Sequence, residues 1–198
     1  MNEYYYTAHP ESESRPGEFE LDFEGEQFKF AYDNGVFSKG ELDEGTSLLI
    51  SSLPELYGRI LDLGCGWGPV GVILGRKYPE AQIVMSDVNE RAVQLSRQNL
   101  SKNGVSNAGV LLSDGFQNID GTFDFIVTNP PIRAGKQVIY ALFDASLARL
   151  NPRGRLYIVI RKQQGAESAL KYLEKARACV IAKKKGFWII CCGGNENE

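Results

Sequence analysis

The sequence predicts a single α/β domain built on a doubly wound, mostly parallel sheet, and three observations carry that expectation. From Arg59 onward, short apolar runs alternate with stretches of helical periodicity, the pattern of repeated strand–helix units. The run Ile60–Leu63 passes through Gly64, Gly66 and Gly68 into Pro69, so a buried strand turns tightly into a helix. Each of the first four strands of the alternating region then closes in a polar residue: Asp62, Asp87, Asp114 and Asn129.

The elements follow in order. Residues 1–17 are expected to be a loose arm, with Tyr4, Tyr5 and Tyr6 covering a hydrophobic edge. Glu18–Phe23 and Gln27–Tyr32 alternate apolar and polar around Gly25, a hairpin either added to the main sheet or packed beside it. After a turn at Asp33-Asn34-Gly35, Asp43 or Thr46 can cap a helix through about Leu53. The core then reads as strand Ile60–Leu63, helix Pro69 to about Lys77, strand Gln82–Ser86, and helix Glu90–Asn103 closed by Gly104. Strands follow at Val110–Leu112 and Phe123–Thr128, then a helix from about Lys136 to Leu150, strand Arg155–Ile160 and helix Ala166–Ala178. Cys179–Lys183 and Phe187–Cys191 form a last hairpin around Lys184-Lys185-Gly186, which gives the sheet its antiparallel member and seven strands in all. The expected organisation is one Rossmann-like domain over 1–198: an arm (1–17), a hairpin-and-helix extension (18–58), a core (59–192) and a frayed tail (193–198).

The 198 residues, 43% of them hydrophobic, suit one domain with a full core. No apolar run approaches membrane-spanning length, and residues 1–20 are polar and acidic, unlike a signal peptide. The four cysteines (Cys65, Cys179, Cys191 and Cys192) show neither metal-ligand nor disulfide-framework spacing, so a reduced, cytoplasmic protein without a metal is expected. A single histidine, His9, lies in the arm, which leaves histidine-based catalysis little support. Charge is unevenly spread: residues 1–130 carry 9 basic and 20 acidic side chains, residues 131–198 carry 13 basic and 5 acidic. Such asymmetry hints at an anionic partner on one side, whereas the net charge of −3 argues against indiscriminate nucleic-acid binding.

On a parallel sheet the four polar strand ends line one crevice. Asp62 is a carboxylate inside a buried strand, costly unless a polar partner meets it. Gly64, Gly66 and Gly68 let backbone approach a ligand closely. Asp87 lies 16 to 23 residues beyond the glycines, where a carboxylate accepting ribose hydroxyls falls. Asp114 suits an adenine amino group, with Val88 or Phe116 packing on the ring or simply filling the core. These features suit an adenine nucleoside, and because Gly66-x-Gly68-x-x-Gly71 also fits the dinucleotide fingerprint, NAD stays open beside S-adenosylmethionine.

Asn129-Pro130-Pro131-Ile132 separates the two. Consecutive prolines cannot continue a ladder and force a rigid, extended exit. That exit aims the Asn129 amide and the Pro130 carbonyl at the crevice as two fixed acceptors. Together they can bind both hydrogens of a planar –NH2 and hold its nitrogen in line with a donor methyl. A purely structural turn is the plainer use of the same residues.

Asp-Leu-Gly-Cys-Gly-Trp-Gly, Asp87, Asp114 and Asn-Pro-Pro-Ile together resemble the amino-methylating group of class I S-adenosylmethionine-dependent methyltransferases. With Gly35-Val36-Phe37-Ser38, Leu42-Asp43-x-Gly45-Thr46-x-Leu48-Leu49 and Arg-Ala-Gly-Lys after Ile132, the chain is similar to compact, single-domain members of the guanine-N2 methyltransferases of small-subunit ribosomal RNA. The resemblance implies S-adenosylmethionine as cofactor and 16S rRNA or the 30S subunit as partner. It sets Gly64, Gly66 and Gly68 against the methionine part, Asp62 near its amino group and Asp87 at the ribose, with Cys65 and Val88 also among the cofactor-binding residues. Asp114, Gly115 and Phe116 would lie at the adenine. Asn129, Pro130, Pro131 and Ile132 would form the catalytic corner, and Phe37 would close the pocket. Adenine-N6 and glutamine methyltransferases usually carry Tyr or Phe where this chain has Ile132, so a flipped guanine needs other contacts; Phe37, Arg133 and Phe116 are candidates. Arg133 and Lys136 would hold substrate phosphates by position. The alternatives are methylation of a protein glutamine or an adenine, and, from a different class, a non-catalytic nucleoside-binding or ribosome-assembly module. NAD chemistry lacks an evident acid–base pair.

Overall fold

The computed structural model describes residues 13–34, 36 and 40–193. Nine strands and five α-helices are found among them: β1 (Gly17–Phe23), β2 (Glu26–Tyr32), α1 (Glu44–Ser51), β3 (Arg59–Leu63), α2 (Pro69–Lys77), β4 (Gln82–Asp87), α3 (Glu90–Lys102), β5 (Ala108–Leu112), β6 (Phe123–Thr128), α4 (Lys136–Ala148), β7 (Leu150–Arg161), α5 (Ala166–Tyr172), β8 (Cys179–Lys184) and β9 (Phe187–Cys192). The seven-stranded sheet has the order β5-β4-β3-β6-β7-β9-β8. Its first five members are parallel, β9 runs antiparallel to β7, and β8 runs antiparallel to β9. The chain leaves the central β3 toward β4 and β5, then returns to β6 on the other side. This reversal opens a crevice at the carboxyl ends of β3 and β6.

The sheet separates two cores. One holds Trp67, Val72, Leu74 and Met85 with Leu49, Phe28 and Phe30; the other holds Phe143, Ile139, Ile119 and Leu173 with Leu61 and Ile158. The hairpin β1–β2 is a separate two-stranded sheet, which settles its placement beside the main sheet. Apolar contact docks it: Phe30 and Phe19 meet Trp67 edge-on at centroid distances of 4.7 and 5.5 Å. Polar contact completes the join. Asn99 of α3 and Asn103, the C-cap one turn later, pair with β2 as a neighbouring strand would. The Asn99 amide accepts from Ala31 N at 2.7 Å and donates to Ala31 O at 2.9 Å, and Asn103 does the same with Lys29 at 2.9 and 2.8 Å. Trp67 lies inside the glycine turn, so the extension braces that turn from below.

Several boundaries differ from the sequence expectation. Helix α4 ends at Ala148, and β7 starts at Leu150 instead of Arg155, pairing Leu150 with Phe123 before a register shift. Pro152 disfavours helical backbone at Asn151, which explains the early stop. Strand β5 begins at Ala108, two residues early, because pairing with Ile83 outweighs the weak strand preference of Ala-Gly. Helix α5 stops at Tyr172, followed by a 3-10 turn over Glu174–Ala176 and by Arg177 at φ 57°. The Ala176 carbonyl is taken by Gly193 N at 2.8 Å, which draws this segment onto the end of β9. Helix α1 is capped by Asp43, which accepts from Gly45 N and Thr46 N, and ends at Ser51. Strand β1 starts at Gly17, within the expected arm, and residues 1–12 of that arm, Tyr4, Tyr5 and Tyr6 included, lie outside the described residues, as does the expected frayed tail from residue 194.

Candidate active site

Strand register brings the predicted residues to one level. Leu63 pairs with Ser86 on one side and with Thr128 on the other, so the next residues, Asp87, Gly64 and Asn129, stand abreast at the sheet's edge. Asp87 pairs in turn with Leu112, which brings Ser113 and Asp114 to the outer flank. Adjacent strands lie about 4.8 Å apart, so the whole row fits under one nucleoside-sized molecule.

The glycine turn wraps around the end of β4. Gly64 N and Cys65 N both donate to Ser86 O, at 2.8 and 2.9 Å. Gly66 N donates to Asp87 Oδ2 at 2.8 Å, while Asp87 Oδ1 accepts from Asn89 N at 2.9 Å. The Asn89 side chain, not Asp87, caps α3. Burial pushes the Asp87 carboxyl up, with the N–H groups of Asn89, Gly66 and Val88 opposing. The glycines divide into two pairs. At Gly64 (φ 76°) and Gly66 (φ 58°) a Cβ would meet nothing within 4 Å, so open space lies over this backbone. At Gly68 and Gly71 it would strike Ser96 and Met85 at 2.8 and 2.4 Å, so these two serve packing beneath the turn. A cradle that is bare only on its crevice side fits an elongated ligand laid across it.

Asp62 is 3% exposed and lies under the turn, where its Oδ2 accepts from Gly71 N at 3.0 Å at the start of α2. Burial raises its carboxyl to about 7, the Gly71 N–H opposes, and the charge on Asp87 adds to the rise. Cys65 is buried against Ser96 Oγ at 3.4 Å, and burial raises its thiol. Asn99 reaches this region as well, donating to Trp67 O at 2.7 Å.

On the other side, the Asn129 side-chain Nδ2 donates to Thr46 Oγ1 at 3.0 Å, and Thr128 Oγ1 donates to Leu63 O at 2.9 Å. Pro130 is buried, Pro131 is half-buried, and Ile132 packs partly on the second core at the start of a 3-10 turn. On the outer flank, Asp114 is exposed, and Ser113 Oγ ties the loop by donating to Gly115 O at 2.9 Å. Phe116 packs partly on the second core, with the Arg149 guanidinium 5.7 Å from its ring centroid. Val88 is half-buried. Arg133 and Lys136 are exposed, with Lys136 Nζ 5.6 Å from the Tyr140 ring centroid. Phe37 lies outside the described residues, and so do Gly35 and Ser38 of the same motif.

The basic tip of the last hairpin also lies at this rim. Lys185 Nζ pairs with Glu44 in the first turn of α1, two residues from Thr46. The hydrogen bond from Lys185, with the nearby charges of Arg161 and Lys184, holds the Glu44 carboxyl below its ordinary value. Thr46, Asn99 and Ser96 are the residues the sequence did not single out for the site. Asn99 and Asn103 were visible as amides four apart on a helix, but their strand-like partner was not.

Among the described residues there is no group of three or more His, Cys, Asp or Glu side chains able to hold a metal, and no helix is long and apolar enough to cross a membrane. A family model described as the methyltransferase small domain matches residues 27–191. A Bacillus subtilis protein named "Uncharacterized protein YbxB" is 46% identical over 196 residues, covering 96% of this chain and 98% of that one. The ribosomal RNA small subunit methyltransferase C of Haemophilus influenzae is 40% identical over 148 residues, 72% of this chain but 43% of that protein. The solved T. thermophilus 16S rRNA N2 G1207 methyltransferase (RsmC), in complex with AdoMet and guanosine, superimposes with a TM-score of 0.81 at 27% identity, covering 91% of this chain and 51% of that one. The chain thus spans about half the length, or less, of these two named methyltransferases.

Proposed function

The chain belongs to the methyltransferase small domain family, and from that premise we propose that it transfers a methyl group from S-adenosylmethionine to the exocyclic N2 of a guanine in 16S rRNA. One observation carries the proposal: a glycine cradle open only toward the crevice stands level with an Asn-Pro-Pro corner whose amide is already held by a hydrogen bond. Gly64 and Gly66 fit the methionine part of the cofactor, Asp87 its ribose and Asp114 its adenine. Bound there, S-adenosylmethionine supplies an electrophilic methyl group.

The protein's own part is orientation. Asn129 Oδ1 and the Pro130 carbonyl accept the two N–H bonds of the target amine. These bonds draw its lone pair out of conjugation with the purine and aim it at the methyl. No covalent intermediate is needed. The proton released on N-methylation passes to water, since no basic side chain in the row is required to hold it. Ile132 supplies bulk without a π face, which favours guanine over the glutamine and adenine targets of related enzymes. Arg133 and Lys136, with Lys184 and Lys185 across the mouth, suit the phosphates flanking a flipped base. The relatives whose names state rRNA methylation support this substrate class.

The test is methyl transfer from labelled cofactor to free rRNA and to 30S particles, followed by mapping of the labelled nucleotide. Label in N2-methylguanosine is the expected result. Label in adenine or in a protein glutamine would replace the substrate and keep the enzyme. No cofactor binding by calorimetry would overturn the enzyme itself and return the non-catalytic assembly module.

A further inference from the structure

We infer that Thr46 is a positioning residue for methyl transfer: its hydroxyl anchors the NH2 end of the Asn129 amide and leaves the oxygen to the substrate amine. The inference rests on the role given above to Asn129. An asparagine amide has nearly the same shape after a half-turn about its last torsion, yet the half-turn exchanges an acceptor for two donors. A target amine arrives with N–H bonds, so it needs the oxygen. Facing an NH2 group, it meets donors with its own donors, and the corner fails. The rigid proline exit fixes where the amide sits but not which way round it lies.

Thr46 holds the NH2 end. Asn129 Nδ2 donates to Thr46 Oγ1 at 3.0 Å, and no described residue donates to the Asn129 oxygen, which is left to accept. The acceptor is itself immobile. Thr46 is 4% exposed, in the first turn of α1, with its N–H bound to Asp43 Oδ1 at 3.2 Å. Its neighbour Gly45 lies so close to Phe187 of β9 that a Cβ there would be 2.7 Å from the ring, so α1 is seated tightly on the sheet. Thr46 and Asn129 are 83 positions apart, and only the docking of the N-terminal extension brings them together. On this account the extension completes the catalytic centre as well as covering the core.

The experiment compares the full-length wild-type chain with Thr46→Val, which keeps the volume and removes the acceptor, and Thr46→Ser, which restores it. Thr46→Val is expected to lower kcat roughly tenfold, about the effect of one hydrogen bond. Its affinity for S-adenosylhomocysteine should stay within about twofold of wild type, and Thr46→Ser should recover most of the rate. Independently of activity, the Asn129 side-chain NH2 resonances, assigned by their loss in Asn129→Ala, should shift in Thr46→Val and stay in place in Thr46→Ser. Wild-type kcat in Thr46→Val would overturn the inference. So would losses of rate and cofactor affinity in equal measure, or a Thr46→Ser variant as slow as the valine. A wild-type chain that methylates nothing would instead remove the proposed function, while the NH2 resonances would still report whether Thr46 holds the amide.

Discussion

Asp87 Oδ2 accepts the Gly66 N–H at 2.8 Å, so the carboxylate closing β4 holds open the middle of the turn that follows β3. Its other oxygen secures Asn89 N at 2.9 Å, at the threshold of α3. A group proposed for the cofactor ribose is therefore already part of the cradle. Asp87→Ala should weaken S-adenosylmethionine binding more than tenfold and lower stability by about 1–3 kcal/mol, the cost of leaving buried N–H groups without acceptors. Calorimetric titration and urea unfolding of the same variant check both halves.

The two pairs of glycines give opposite expectations. Gly64→Ala introduces a methyl into open space at φ 76°, so its stability cost is backbone strain, about 1–2 kcal/mol, while the methyl obstructs the cradle and cofactor affinity falls sharply. Gly68→Ala drives its Cβ to 2.8 Å from Ser96 Oγ and 2.9 Å from Met85 Cε at φ 90°, and should cost about 2–4 kcal/mol. Melting temperature with and without S-adenosylhomocysteine separates them. A Gly64→Ala protein with unchanged ligand stabilisation would contradict the open-cradle account.

Asn129→Ala removes one acceptor of the proposed corner and leaves the cradle intact. Methyl transfer should fall by about 10²–10³-fold, the scale of losing one preorganised group at a reacting centre. Binding of S-adenosylhomocysteine should change little. Parallel loss of both activities would make Asn129 a structural residue.

Asp62 sets a pH dependence. Its carboxyl titrates near 3.8 in the unfolded chain and about 7 in the fold, so the unfolded state gives up this proton first as pH rises. The stability contribution is therefore complete below about pH 4 and is lost as pH rises to about 7, and the raised Asp87 carboxyl acts in the same direction. Asp62→Asn should flatten this fall. Urea unfolding of the cofactor-free protein between pH 4 and 8 should show the variant gaining on wild type across that window and running parallel to it above.

Asn99→Ala strips the partners from Ala31 N, Ala31 O and Trp67 O together. A loss of about 3 kcal/mol is expected, and because Trp67 belongs to the glycine turn, cofactor affinity should drop with it. Hydrogen exchange at Ala31 N, fast in the variant and slow in the wild type, is the direct readout.

What the sequence determined by itself is the local chemistry. The alternation from Arg59 onward, the glycine turn, Asp87 and Asn-Pro-Pro are statements about neighbouring residues: strand period, positive φ, missing N–H groups. They gave the sheet, its order of elements and the crevice end. Boundaries at Leu150 and Tyr172 escaped because pairing with Phe123 and the Gly193–Ala176 hydrogen bond decide them, and neither partner is local. Tertiary structure alone decided that Gly68 faces Met85 while Gly64 faces the crevice, that Asn99 pairs with β2, and that Thr46 meets Asn129. The physical reason is common to all three. A side chain's direction and its partner depend on how elements far apart in the chain pack, and no pattern of adjacent residues encodes that distance.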